Sequence, residues 1–183
     1  MNRHTSSSSR SIERRDLLKL AALVAAGSAL PRWGFAQVNT KNNPFQLGVA
    51  SGSPSPDGVV LWTKLMADSW LSTSMGNQDI GVRWEVAHDD AFQKIVQRGT
   101  AVASPELAHA VHVEVKGLES DRWYFYRFML GDAISTVGRT RTAPATQALV
   151  KQLRFAFASC QLWEHGHYAA YLQMVKDNPD LVV

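Results

Sequence analysis

The sequence predicts a mainly β chain: an Ig/fibronectin-III-like β-sandwich followed by the first βαβ piece of an α/β domain. Two observations carry this prediction. Short stretches in which apolar and polar residues alternate recur through residues 45–142, and this is the pattern of half-buried strands. Residues 153–183 then have the pattern of an apolar strand, an amphipathic helix and a second apolar strand.

Six or seven short strands separated by turn residues are predicted in the first part, a number typical of a β-sandwich. In the clearest of them, 80–86, the apolar residues fall on one face. We expect Trp84 there, and Trp62 in an earlier strand, to be largely buried. The clearest strands are predicted over residues 45–50, 59–65, 80–86, 111–115, 123–130 and 134–142, with a turn over 53–58.

A second feature of the sandwich is the spacing of Leu118 and Tyr124, six residues apart. This spacing resembles the tyrosine corner of fibronectin type III domains, and a plain buried tyrosine is the alternative. After the last strand, the aperiodic stretch from Ala143 has the composition of a linker. The predicted boundaries are 44–142 for the sandwich, 143–150 for the linker and 151–183 for the start of the second domain.

The second domain begins with an apolar run from Leu153 that leads into Ser159-Cys160-Gln161. Such a run is typical of a strand buried on both faces of an α/β sheet, with its chemistry just beyond the carboxyl end. A helix pattern covers 168–175, and Pro179 follows where that helix should have ended. The apolar residues 181–183 predict the second strand.

Residues 1–36 have the organisation of an export signal. Arg14 and Arg15 precede an apolar run over 20–30, which is too short to span a bilayer but suits a signal core. A small-x-small pattern ends at Ala36, the expected cleavage site. The paired arginines resemble the twin-arginine signal of bacteria. An ordinary secretory signal or an uncleaved anchor is the alternative. We expect no transmembrane segment in the mature chain.

The basic character of the chain lies in this leader. Residues 1–36 carry six Lys or Arg and two Asp or Glu, whereas the rest carries thirteen basic and fourteen acidic residues. Without a basic stripe, the mature part is not expected to bind nucleic acid.

Several motifs together resemble the PhoD-type alkaline phosphatases. The similarity extends over nearly the whole chain after the leader, and the order and spacing of its motifs agree. The motifs are Phe45-Gln46-Leu47-Gly48-Val49-Ala50-Ser51-Gly52, Pro56-Asp57-Gly58-Val59-Val60-Leu61-Trp62-Thr63, Val137-Gly138-Arg139-Thr140-Arg141-Thr142, Phe157-Ala158-Ser159-Cys160-Gln161, Tyr168-Ala169-Ala170-Tyr171 and Pro179-Asp180-Leu181-Val182-Val183.

This resemblance implies an exported hydrolase of phosphate mono- and diesters, with an Ig-like domain and a metallophosphoesterase domain. It also implies iron and calcium as cofactors and Cys160 as an iron ligand. In the family, the strand after Pro179 continues into a Gly-Asp-Tyr motif with further ligands. We therefore expect the catalytic residues to lie beyond Val183, and this chain to be an inactive fragment or the product of a broken gene.

From position alone, Cys160 would more often be a small buried hydrophobe than a ligand. A pair of histidines such as His165 and His167, without a third ligand, is usually part of a loop. Glu164 is expected to be solvated. The remaining candidates are expected to have structural roles: His109 and His112 in a sandwich strand with His112 facing solvent, Asp57 in a turn, Asp89 and Asp90 in a loop or cap, and Asp180 as a cap or turn residue.

Two functions remain open from the sequence. The first is a periplasmic or secreted metal-dependent phosphatase or phosphodiesterase, or its amino-terminal part, with a phosphate ester and the twin-arginine machinery as partners. The second is an exported Ig-like binding module that carries a degenerate catalytic remnant.

Overall fold

A computed structural model describes residues 42–67, 75–160 and 166–183. The leader predicted over residues 1–36 lies outside them, so that expectation stays a prediction. The elements, in chain order, are β1 (Val49–Ser55), β2 (Gly58–Lys64), β3 (Ile80–Ala87), β4 (Ile95–Ala103), a 3-10 turn (Pro105–Leu107), β5 (Ala110–Val115), β6 (Trp123–Leu130), β7 (Ala133–Ile134), β8 (Gly138–Arg141), β9 (Phe155–Ala156), α1 (Ala169–Asp177) and β10 (Leu181–Val182).

The first eight strands form the predicted antiparallel sandwich. One sheet has the order β1-β2-β5, and the other has the order β4-β3-β6-β7, with β8 paired to β6. The apolar faces of the two sheets meet in one core, because period-two alternation places every second side chain on the same face. Its largest fully buried side chains include Tyr124, Phe128, Leu61 and Val82.

The tyrosine corner is confirmed. The backbone N–H of Glu119 donates a hydrogen bond of 2.9 Å to Oη of Tyr124, whose side chain is fully buried. Leu118 is buried beside it in the core. A buried phenol needs a partner, and the chain just before its strand supplies one.

Three details of the sandwich differ from the sequence predictions. The first strand begins at Val49 and continues through Ser55, so the predicted turn over 53–58 is only the two residues between β1 and β2. β4 was missed, because most of its residues on both faces are at least partly exposed and its alternation is weak. His109 lies one residue before β5 and is fully buried, whereas His112 within β5 is exposed as expected.

Trp62 and Trp84 are largely but not fully buried, and neither is among the fully buried residues of the core. Trp62 lies between the buried Leu61 and Thr63 in β2, and alternation therefore directs it away from the core. Trp84 packs against the edge of the core and lies over Gly99 of β4, which has no side chain to cover it.

The βαβ unit is confirmed over residues 155–182. β9 and β10 are parallel neighbours, with Phe155 paired to Leu181 and Ala156 to Val182, and α1 connects them. The helix ends at Asp177, where Asn178 adopts a left-handed conformation before Pro179. Asparagine tolerates this geometry at the end of a helix.

The expectation that the first strand of this unit is buried on both faces was wrong. Within the described residues the strand covers only two positions, and Phe155 and Phe157 are 63% and 74% exposed. A two-stranded sheet with one helix cannot cover both of its faces.

Within residues 42–67, 75–160 and 166–183, no helix has the length and hydropathy needed to cross a bilayer.

Candidate functional site

The candidate site is the edge formed by the carboxyl ends of β9 and β10. The parallel pairing continues past the two strands, because Val183 donates a hydrogen bond of 2.9 Å to the carbonyl of Ala156 and Ala158 donates one of 3.0 Å to the carbonyl of Val183. Cys160 follows two residues later. In parallel α/β sheets this edge is where ligands bind.

Cys160 is an exposed free thiol with a left-handed backbone, φ +55°. A cysteine that served only as a small hydrophobe would be expected inside the core, where most unpaired cysteines lie. The exposed position at a strand tip leaves its Sγ accessible to a ligand. As a donor, the thiolate suits a transition metal such as iron better than calcium, which prefers oxygen.

Cys160 does not belong to a three-ligand metal group among the residues that the structure describes. Residues 42–67, 75–160 and 166–183 contain no group of three His, Cys, Asp or Glu side chains that could hold a metal ion. Glu164 and His165 lie outside these residues, and His167 is exposed in the loop before α1. The thiol of Cys160 therefore fits an iron site as a donor, and the described residues do not complete a three-ligand site.

The other acidic candidates have structural roles. Oδ1 of Asp57 accepts a hydrogen bond of 2.8 Å from the hydroxyl of Ser55 in the turn between β1 and β2. The carboxylate of Asp89 accepts the backbone N–H groups of Gln93 and Lys94 at 2.9 and 2.8 Å, and the hydrogen bond from Gln93 is the main cause that lowers the pKa of Asp89. Turn and loop roles were predicted for both residues, and Asp90 is exposed beside Asp89.

His109 is held by backbone contacts at the amino end of β5. Its Nε2 lies 3.1 Å from the carbonyl oxygen of Gln78, and its own carbonyl accepts the N–H of Leu65 at 3.1 Å. Its left-handed φ of +58° follows that of Ala108 in the turn before the strand. The side chain of His109 is buried and belongs to the sandwich, and it has no contact with Cys160 among its described hydrogen bonds.

Sequence reasoning missed a polar cluster at which the sandwich contacts the βαβ unit. Asp180, predicted to be a cap or turn residue, accepts the N–H of Arg154 at 2.9 Å and also binds Arg141 of β8 at 2.6 Å. A cleft of about 260 Å³ opens beside this contact. It is lined by Trp123, Arg141, Gln152, Arg154, Asn178 and Asp180. Alternation places residues 139 and 141 on one face of a strand, but it does not indicate which segment that face contacts.

Comparison with known proteins identifies the family. The family model described as "PhoD-like phosphatase, N-terminal domain" matches residues 28–144. Alkaline phosphatase D of Bacillus subtilis (strain 168) is 49% identical over 168 aligned residues. The alignment covers 90% of this chain and 29% of that protein.

A solved structure described as that of PhoD superposes with a TM-score of 0.76 at 53% identity, covering 79% of this chain and 28% of the other. The chain thus spans less than a third of the length of the proteins it resembles. The length of the family-model match and the level of identity lead to one conclusion: the chain belongs to the PhoD-like phosphatase family.

Proposed function

We propose that residues 37–183 act within an exported, metal-dependent phosphatase or phosphodiesterase, where they supply the amino-terminal sandwich and the first βαβ unit of the catalytic domain. The observation that carries the proposal is the 49% identity to an alkaline phosphatase, which extends over 90% of the chain and so includes β9 and Cys160 as well as the sandwich. The substrate class is a phosphate ester.

At this edge we assign Cys160 as an iron ligand. Its thiol is exposed and unpaired, and it lies at the carboxyl end of a parallel strand. A thiolate donor would direct iron to this position and leave calcium to oxygen ligands elsewhere in the protein. Bound metals supply charge neutralisation for the ester and a more acidic bound water. The catalytic groups themselves are expected outside this chain's residues.

The assignment can be tested in a chimera in which residues 37–183 replace the corresponding segment of the Bacillus subtilis relative. Hydrolysis of p-nitrophenyl phosphate and of its bis ester is measured together with iron content, for the chimera and for Cys160→Ser and Cys160→Ala. Serine preserves the size but not the soft donor, so both variants should lose iron and most turnover.

A chimera with full iron and full rate after Cys160→Ala would show that Cys160 is a packing residue. The 183-residue chain alone, supplied with iron and calcium, should hydrolyse neither ester faster than its own Cys160→Ser variant. Metal-dependent turnover by that chain would refute the placement of the catalytic groups elsewhere.

Export is proposed to use the twin-arginine pathway, with Arg14 and Arg15 as the recognised pair, cleavage after Ala36 and the periplasm or the medium as destination. Replacement of both arginines by lysine preserves the charge and removes the motif. The variant should accumulate inside the cell with its leader uncleaved. Unchanged export would indicate the ordinary secretory route.

The alternative function, an exported binding module, has one observation in its favour. The sandwich is closed around a core, whereas the described residues contain no three-ligand metal group. A chimera that folds but neither binds iron nor hydrolyses either ester would favour this alternative.

A further inference from the structure

The outer face of the β6–β8 pair carries an aromatic and two arginines that contact the βαβ unit. Trp123 is paired in register with Arg141, and Phe125 with Arg139, on the face that points away from the sandwich core. The guanidinium of Arg139 lies 4.2 Å from the centre of the Trp123 ring, and that of Arg141 lies 5.5 Å from it. Cation–π attraction to the indole favours the position of both guanidiniums on this face of the sheet.

The segment that rests on this face is the turn between α1 and β10. Nη2 of Arg139 donates a hydrogen bond of 2.7 Å to Oδ1 of Asn178, the residue that directly follows the helix. Nη1 of Arg141 donates one of 2.6 Å to Oδ1 of Asp180. The two contacts are two residues apart on both partners, so the spacing of β8 matches that of the turn.

Arg141 also binds a carboxylate of the sandwich itself. Its Nη2 donates a hydrogen bond of 2.5 Å to Oδ1 of Asp121. Asp121 is fixed in turn, because its N–H donates to the carbonyl of Ala143. One guanidinium therefore bridges a carboxylate of the sandwich and a carboxylate of the βαβ unit through two separate nitrogens. A lysine ammonium would have to reach both carboxylates from a single nitrogen.

The second carboxylate oxygen of Asp180 transmits this contact to the sheet. Oδ2 accepts the N–H of Arg154 at 2.9 Å, and the N–H of Asp180 donates to the carbonyl of Arg154 at 2.8 Å. Asp180 thus joins the amino ends of β9 and β10 while Arg141 holds it. The side chains of Arg141 and Asp180 are 30% and 24% exposed, so the pair is only partly screened by solvent.

We propose that Arg141 is a positioning residue: with Trp123 and Arg139 it forms a clamp that holds the α1–β10 turn, and through Asp180 the β9–β10 sheet, in one orientation on the sandwich. The sandwich is then the platform on which the first parallel strands of the second domain are aligned. The clamp stands on observed contacts. Its effect on Cys160, at the opposite end of the same two strands, rests on the proposed function.

Hydrogen exchange of the 183-residue chain, resolved by peptide, tests the clamp directly. The reporters are the amides of Arg154, Asp180 and Val183, all hydrogen-bonded within the β9–β10 sheet. Arg141→Gln should accelerate their exchange about tenfold, equivalent to about 1.4 kcal/mol, and leave the amides of β2 and β5 unchanged. Arg141→Lys should give a smaller acceleration, because it retains the charge without the fork.

A double-mutant comparison separates the clamp from a general loss of stability. Asp180→Asn should accelerate the amides of Asp180 and Val183, and the double variant with Arg141→Gln should add little there, because both changes remove the contact between Arg141 and Asp180. The Arg154 amide is left out of this comparison, because Asp180→Asn also alters its own acceptor. The matched control is Arg127→Gln, on the same outer face of β6, whose guanidinium instead binds Glu85 at 2.8 Å and lies over Phe92. That control should leave the reporter amides unchanged.

Unchanged exchange in Arg141→Gln, or equal acceleration in β2 and β5, would overturn the clamp. In the chimera described above, Arg141→Gln should also lower the iron content. If Cys160→Ser loses iron in the chimera and Arg141→Gln does not, the proposed function survives and the effect of the clamp on Cys160 is refuted. If neither variant loses iron while exchange still responds to Arg141→Gln, the clamp survives and the metal assignment fails.

Discussion

The sandwich and the βαβ unit have apolar residues in the same kind of alternating or continuous runs, yet only the sandwich buries them. Phe128 of β6 is 0% exposed, because the opposite sheet covers its face. Phe157, just after β9, is 74% exposed. The comparison shows that an apolar run determines which residues could form a core, whereas a second layer determines whether they do.

The two regions also differ in what holds them together. The sandwich is held by a continuous hydrophobic core to which strands of both sheets contribute. The βαβ unit is held to the sandwich by charged and polar contacts at Arg139 and Arg141. Hydrophobic burial is worth more than partly exposed ion pairs, so mutations should affect the two regions very unequally.

The largest contrast is expected for a matched pair of phenylalanine truncations. Phe128→Ala should lower the free energy of unfolding of the chain by about 3–5 kcal/mol, because it opens a cavity in the core. Phe157→Ala should change it by less than about 0.5 kcal/mol, as is usual for exposed positions. Both values come from urea unfolding followed by fluorescence. Similar losses for the two variants would contradict the comparison.

A smaller contrast is expected for two strand glycines. A Cβ at Gly138 of β8 would clash with the ring of Tyr126, which is 2% exposed and cannot move aside. Gly138→Ala should therefore cost about 1–3 kcal/mol in the same unfolding assay. Gly52 of β1 has no atom within 4 Å of an added Cβ, so Gly52→Ala should be neutral or slightly stabilising. A neutral Gly138→Ala would mean that the β6–β8 packing is looser than described.

The smallest effect is expected in alkaline solution. Burial raises the pKa of Tyr126, and a hydrogen bond to Ser51 opposes that rise only in part. Because the folded protein disfavours the phenolate, the stabilisation by Tyr126 is fully present below the ordinary tyrosine pKa of about 10 and is lost as the pH rises through the higher folded value. Tyr126→Phe should show a shallower loss of stability above about pH 10. An identical alkaline slope in both proteins would exclude this residue as its source.

Alternation along the sequence was enough to predict most sandwich strands, the tyrosine corner and the order β9, α1, β10. It was not enough for β4, whose exposed edge lacks a clear apolar face. It also did not indicate that Trp84 packs at the edge of the core, where its ring lies over Gly99 on another strand. Period-two patterns identify a face, and they contain no information about which neighbour covers it.

The candidate site was predictable to the same limited degree. Cys160 was identified from its position after an apolar strand and from family motifs, and the structure places it at a free, exposed tip. The contact between Arg141 and Asp180 spans 39 residues and depends on strand register, so no local pattern could indicate it. The predicted cap or turn role of Asp180 accounts for only one of its two carboxylate oxygens.

The central claim is that the sandwich is stable by itself and that the βαβ unit depends on it. The direct measurement is urea unfolding of the full chain and of a chain that ends at residue 150. The described core takes its residues from Phe45 to Leu130, so the shortened chain should lose only the partly exposed contacts of Arg141 with Asp180 and of Arg139 with Asn178, together about 1–2 kcal/mol. A cooperative transition within that range is the predicted result. A loss of several kcal/mol, or of cooperativity, would show that residues 151–183 are part of the sandwich core and would contradict the account.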